Sequence, residues 1–261
     1  MSKPRGKCAF CGKPGLTHGH IWPDWLGQVL PYTATHHEQE IGRFETFKPQ
    51  VPGPEHSIRI RQGQARSRKP RNTCGACNSG WMSQIENLAK PYLSALILGQ
   101  RAILSPFAQY AVACLIALIV MRVELLGGNI PAISPAERDH LRLRRWLSEH
   151  WHIWIVAFAG ENQQDHFSKN YAAQLEPAPT DKVGPEHCNV QVSTLVMGQL
   201  CAHTFHSPVV ETGGYEGVSL YQLWPLSPLP IDTGYLAPLN DREVLWLHEA
   251  YARESTPMPR Q

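Results

Sequence analysis

Two cysteine pairs, Cys8-x-x-Cys11 and Cys74-x-x-Cys77, are the residues whose type and spacing point most directly to chemistry. Two intervening residues let the backbone fold back so that both sulfurs of a pair reach one ion. Two such pairs complete a tetrahedral zinc site of the structural kind. A lone CxxC can be a redox motif, but two of them in a basic segment favour metal. The ion would staple together two stretches separated by 62 residues, which matters for a unit whose loop-rich middle has little core of its own. Four sulfur ligands leave no open position for substrate, so any catalysis must sit beside the ion.

Two polar features lie beside the knuckles. One is His18-Gly19-His20 in THGHIWPDWL, residues 17–26; the other is Asn78, directly after the last cysteine and at the head of an amphipathic stretch. A helix start, an amide carbonyl and an imidazole suit a divalent cation and a phosphodiester. The cation polarises a phosphoryl oxygen and steadies the leaving group, while a neutral histidine takes a proton from water.

The elements that must position these groups can be read in outline. PDWLGQVLP suggests a short helix closed by Pro31, and THHEQEIGRFETFKPQVPGPEHS a polar loop with weak strand signals that includes His36 and His37. Ile58, Arg59, Ile60 and Arg61 alternate at period two, a strand pattern with both arginines on one face. Trp81, Ile85 and Leu88 fall on one helical stripe, which Pro91 kinks or ends. Core helices follow over 92–126 with a break near Ser105-Pro106, and Ser134-Pro135-Ala136-Glu137 opens another. Beyond it, HIWIVAFAG, NVQVSTLVMG, QLCAHTFHS and GVSLYQLWP predict a mainly antiparallel sheet of about four strands, and NDREVLWLHEAYARE a closing helix.

Composition agrees with a globular protein: 43% apolar and 18% charged over 261 residues. The net charge of +2 hides an asymmetry. Residues 1–90 carry 13 Lys+Arg against 6 Asp+Glu, a net of +7, whereas the remainder carries 11 against 16, a net of −5. This suggests two units, 1–90 and 91–261, the first facing an anion such as nucleic acid. The N-terminus has no apolar signal core, so a cytoplasmic location is expected. AVACLIALIVM, residues 111–121, falls short of the ~20 residues a membrane helix needs and reads as a core helix bounded by Gln109 and Arg122. Seven cysteines in a reducing compartment argue against a disulfide framework.

The order CxxC, His-Ile-x-Pro, strand pair, CxxCN at a helix start resembles the HNH, or His-Me finger, endonucleases, in the subgroup whose ββα-metal core is stapled by a four-cysteine zinc. CAFCG, LTHGHIWPDWL and CGACNSGWMSQIE are similar to a bacterial and phage group typified by LTxEHIWPxWL and CxxCNxGWMSxxE. The likeness covers residues 7–90. It implies an α+β chain: a zinc-stapled ββα-metal nuclease domain over 1–90, followed by a helical segment and a mainly antiparallel sheet over 91–261. It also implies a structural zinc on Cys8, Cys11, Cys74 and Cys77, His20 as the general base, Asn78 as a ligand of a catalytic divalent metal, and DNA as substrate.

That family places Asp or Glu immediately before the base, where this chain has Gly19. Three readings follow. His18 swings in as a nitrogen ligand, which favours Zn, Ni or Mn over Mg; a carboxylate from elsewhere, Asp24 or Glu86, substitutes; or cleavage is weakened or lost, leaving a zinc-stapled nucleic-acid-binding protein. Arg59, Arg61, Arg66, Arg68, Lys69 and Arg71 lie between the motif halves and are the expected phosphate contacts. Nothing among them reads bases. Cys201, His203 and His206 do not share one strand face and are read as core. No GxSxG, Walker A or dinucleotide fingerprint is present.

Overall fold

A computed structural model of the chain describes residues 6–30, 36–44, 57–62, 69–126, 131–161, 166–173, 189–209, 212, 215 and 218–250, the segments 36–44, 57–62 and 166–173 by their backbone. In chain order, a short strand β1 (Leu16–Thr17) is followed by α1 (Leu26–Val29), β2 (His36–Phe44), β3 (Ser57–Gln62) and β4 (Thr73–Cys74). A wide helical turn, Cys77–Met82, then leads into α2 (Ser83–Ile97), which continues through Pro91. Next come β5 (Ile103–Leu104), α3 (Pro106–Glu124) and α4 (Pro135–Arg144). The chain continues with β6 (Trp151–Ala157), β7 (His166–Ala173), β8 (Val190–Met197), β9 (Leu200–His206), β10 (Tyr221–Trp224), β11 (Ile231–Asp232) and α5 (Asp241–Glu249).

The described residues thus form an α+β protein, and seven of the described strands make one sheet in the order β10-β6-β9-β8-β7-β2-β3. Its pairings are antiparallel except β2 with β7, which run parallel. The four strands expected from the sequence are β6, β8, β9 and β10. The sheet is wider than expected because β7 and the β2–β3 hairpin extend it. His36 and His37, expected in a loop, open the nine-residue strand β2.

Side chains alternate across this sheet at the two-residue period of a strand. Ile153, Ile155, Leu195, Met197 and Ala202 face the main core with α2 and α3, while Val156, Val196 and Cys201 meet Val244 and Leu247 of α5. The sheet therefore lies between two helical layers, and β8 and β9 are buried along their whole length. His203 is buried on the α5 side, where Thr194 and Tyr215 hydrogen-bond its two ring nitrogens. Burial lowers its pKa to about 3, so it stays neutral and serves the core rather than a metal.

α3 is the centre of the main core. The Ser105 hydroxyl caps it by accepting from the Ala108 N–H, and Pro106 occupies the first helical position, where its missing N–H costs nothing. Every side chain from Ala111 to Glu124 is buried. The helix has 19 residues, not the eleven of its apolar run, and by length and composition could cross a membrane. Its all-round apolarity is instead satisfied by α2 on one side and by β6 and β10 on the other. Glu124, at its end, is enclosed: one carboxylate oxygen accepts from the N–H groups of Ala132 and Ile133, and the other meets the Arg138 guanidinium of α4 at 2.7 Å. α4 begins as expected, with the Ser134 hydroxyl accepting from the Glu137 N–H.

The expected boundary at residue 90 falls inside α2. One apolar cluster runs without interruption from Cys8, Trp22 and Trp81 through α2 and α3 to Ile153 and Trp224. The charge asymmetry therefore divides surfaces that share a core.

Candidate functional site

Each knuckle is made by local backbone bonding. Gly12, after Cys11, donates its N–H to the Cys8 carbonyl at 2.9 Å and adopts φ +68°, a left-handed turn that side chains disfavour. The second pair straddles an element boundary, Cys74 in β4 and Cys77 at the start of the helical turn. The pairing of Leu16 with Cys74, and the Ala9 N–H to Asn72 carbonyl bond at 2.9 Å, bring the two pairs together. Phe10 and Trp81 pack edge to face behind them at 5.6 Å.

All four sulfurs lie within 4.8 Å of one another, and Cys11 Sγ is 3.6 Å from Cys74 Sγ. Zinc–sulfur bonds of about 2.3 Å give a tetrahedron with edges of about 3.8 Å, so the four residues are positioned to bind a metal ion such as zinc. Without metal the thiols are strongly unequal. Burial pushes Cys77 up to about 12, against the opposing effect of the Trp81 side chain. Burial also raises Cys8, but backbone hydrogen bonds from Cys74, Phe10 and Cys11 outweigh it and bring this thiol down to about 7. A bound cation would favour the thiolate at all four. Arg142 and Arg145, at the end of α4, stand close enough for their charges to act on Cys77, where they would offset the surplus negative charge of a metal held by four thiolates.

The strand pair β1–β4 runs straight into His18-Gly19-His20. His18 is exposed and its Nδ1 is 3.0 Å from the Lys69 carbonyl, so one ring nitrogen is engaged with backbone. His20 is partly exposed, with Nε2 3.4 Å from the Asp24 carboxylate. Ile21, Trp22 and Leu26 behind it are buried and anchor the segment in the core. Burial, and then the Lys69 charge, lower the His20 pKa, against the opposing pull of Asp24 and Glu86. The imidazole is therefore neutral near pH 7 and able to accept a proton.

Gly19 is buried against Asn78. A Cβ added at residue 19 would lie 2.9 Å from Asn78 Oδ1, closer than real contacts allow. The same oxygen accepts from Arg122 Nη2 at 3.2 Å, and Arg122 Nη1 reaches Glu86 Oε1 at 3.0 Å. Asn78 is thus held between Gly19 and a buried guanidinium. We expect Gly19→Ala to displace the Asn78 side chain and cost about 1–3 kcal/mol, as overpacking does. Thermal denaturation checks this, and an unchanged melting temperature would show that Asn78 yields freely. Gly19→Glu meets the same obstacle, so restoring a carboxylate at residue 19 should not by itself rebuild a site.

Of the expected residues, the structure brings together the four cysteines, and it sets Gly19, next to His20, against Asn78. It also places Glu86 beside Asn78 through their shared arginine, while Asp24 stays beside His20, on the solvent side. Arg59 and Arg61 lie in β3 opposite Gln39 and His37. Arg66 and Arg68 lie outside the described residues. Lys69 and Arg71 are exposed, and Arg71 donates to the Leu16 carbonyl at 3.3 Å, bracing β1. Sequence reasoning missed Arg122, read only as the end of an apolar run. The available signal was a lone cation flanked by apolar residues, which needs a partner if buried. Comparison with known proteins found no matching family model, no matching curated protein and no matching solved structure.

Proposed function

We propose that the chain is a metal-dependent endonuclease of the HNH type, with a zinc-stapled ββα-metal site that hydrolyses DNA phosphodiester bonds. The observation that carries this reading is the approach of Gly19 to Asn78, which sets the segment carrying His20 beside Asn78 at the edge of the four-cysteine cluster. His20 is the general base. Its neutral imidazole takes a proton from water, and Asp24 helps to orient the ring. Asn78 supplies an oxygen ligand to a divalent ion such as Mg, Mn, Ni or Zn, held by Oδ1 together with a second donor, Glu86 or His18. The ion supplies charge for the phosphoryl oxygen and the leaving group. Lys69, with Arg59, Arg61, Arg66, Arg68 and Arg71, neutralises phosphates flanking the scissile one.

The test is plasmid nicking by the zinc-loaded chain with each of these metals, beside His20→Ala. Loss of the base should slow nicking by roughly 10²–10⁴-fold. Equal nicking by both proteins overturns the assignment of His20.

One observation favours a second reading. Asn78 Oδ1 is already engaged by Arg122, and a side chain at residue 19 would have to displace Asn78. A zinc-stapled nucleic-acid-binding protein without cleavage is consistent with this. It predicts salt-sensitive DNA binding and no nicking with any metal.

A further inference from the structure

The side chain of Arg122 is 3% exposed, in the middle of the core, whereas that of Glu86 is 20% exposed and Asn78 is half-buried. One guanidinium therefore lies beneath two oxygens that are nearer solvent, Asn78 Oδ1 and Glu86 Oε1, and Nη2 also touches Met82 Sδ at 3.1 Å. An amide oxygen and a carboxylate oxygen held by one guanidinium, the carboxylate close enough for its charge to act on His20, are the hard donors a divalent cation takes. Here a cation already holds them, and it belongs to the protein.

We propose that Glu86 supplies the carboxylate that Gly19 lacks, and that Arg122 is a built-in competitor for the cation, holding Asn78 and Glu86 until a divalent metal takes their oxygens. This rests on the reading of Asn78 as a metal ligand, not on the hydrolysis itself. Affinity at such a site follows ligand charge and rigidity. With Arg122 in place the pair presents no net charge; without it the pair carries one negative charge. A full charge one hydrogen bond from both ligand oxygens outweighs the freedom that two short side chains regain when the guanidinium is removed. Loss of the arginine should therefore strengthen metal binding, the opposite of what a purely supporting residue would show. The arrangement also makes metal binding depend on the core helix α3, 44 residues from Asn78 in the chain.

The experiment is Mn2+ binding by the zinc-loaded full-length chain, followed by the electron paramagnetic resonance of free Mn2+. The proteins are the native chain, Arg122→Met, Glu86→Gln and the double variant. Arg122→Met should bind Mn2+ at least about tenfold more tightly than the native chain. Glu86→Gln should bind more weakly, and the double variant should lose the gain. Unchanged or weaker binding by Arg122→Met overturns the proposal, as does a double variant that keeps the gain. Should Arg122→Met fail to fold, Glu86→Gln decides: binding equal to that of the native chain removes Glu86 as a ligand. Absence of plasmid nicking with the Mn2+ pattern intact would sink the nuclease reading and leave this inference standing. Nicking that survives Glu86→Gln would do the reverse.

Discussion

Removing the metal from Cys8, Cys11, Cys74 and Cys77 should unfold the segments around the knuckles, 6–30 and 69–82, and leave the large sheet in place. Structural zinc contributes roughly 10–16 kcal/mol of folding free energy in isolated zinc-finger peptides, comparable to the 5–15 kcal/mol that stabilises a whole domain. The local substitutes for it are few. β1 and β4 pair over only two residues each, and α1 has four residues. The core packing of Trp22, Trp25 and Trp81 depends on chain segments that the four sulfurs hold together. The sheet has its own support from α3 and α5. A strong chelator, or Cys77→Ser, should therefore remove the share of the near-ultraviolet circular dichroism that comes from Trp22, Trp25 and Trp81 and the amide protection of 18–26, with the signal of Trp151 and Trp224 and the strand protection in β8 and β9 retained. Chelated protein with an unchanged near-ultraviolet spectrum would show that the cysteines are not the staple. If the chain is the nuclease proposed above, plasmid nicking should be lost together with the fold of this segment, since His20 and Asn78 are carried on its two halves.

The second large effect is expected at the far end of α3. Glu124→Ala removes the acceptor of two buried backbone N–H groups and the counter-charge of Arg138, whose own side chain is 3% exposed. Breaking one side of a buried ion pair costs about 3–5 kcal/mol, because the remaining charge is left without compensation. For a chain of this size that corresponds to a fall in melting temperature on the order of 10 °C. Glu124→Gln should be milder, since the amide oxygen still accepts from Ala132 and Ile133. The Glu124→Met, Arg138→Met double variant should recover most of the Arg138 share of the loss, leaving the cost of the two N–H groups. Calorimetric melting of the four proteins checks this order. A double variant as unstable as Glu124→Ala would mean that the hydrogen bonds to Ala132 and Ile133, not the charge, are what Glu124 contributes. The pair fixes α4 against α3, and α4 carries Arg142 and Arg145 to the four-cysteine cluster, so the stability of this corner bears on the site.

Part of this arrangement was legible locally. The two CxxC pairs, the Ser134-Pro135 start of α4 and the alternating runs of β6, β8, β9 and β10 each depend on residues close together in the chain, and each occurs where expected. β7 was missed because HFSKNYAA carries no consistent alternation, and the length of β2 was missed because its polar residues resemble a loop. Pro91 did not end α2: its neighbours Ala89 and Leu93 are fully buried, and this packing outweighs the lost backbone bond. Gly19 read as a missing ligand. In the fold it is the place where one chain segment lies so close to the Asn78 side chain that a Cβ would have to displace it.

The sequence by itself determined the four sulfurs positioned to bind a metal, the types and rough places of most helices and strands, and the choice of His20 and Asn78 as the groups to watch. These follow from spacing, capping and period, which act over a few residues. Only the tertiary structure decided that Asn78 is shared between Gly19 and Arg122, that Glu86 joins it, and that the basic and acidic parts of the chain have one core. Those facts arise from contacts across 36 to 59 residues, where the cost of burying a guanidinium selects its partners, and spacing along the chain carries no record of that selection.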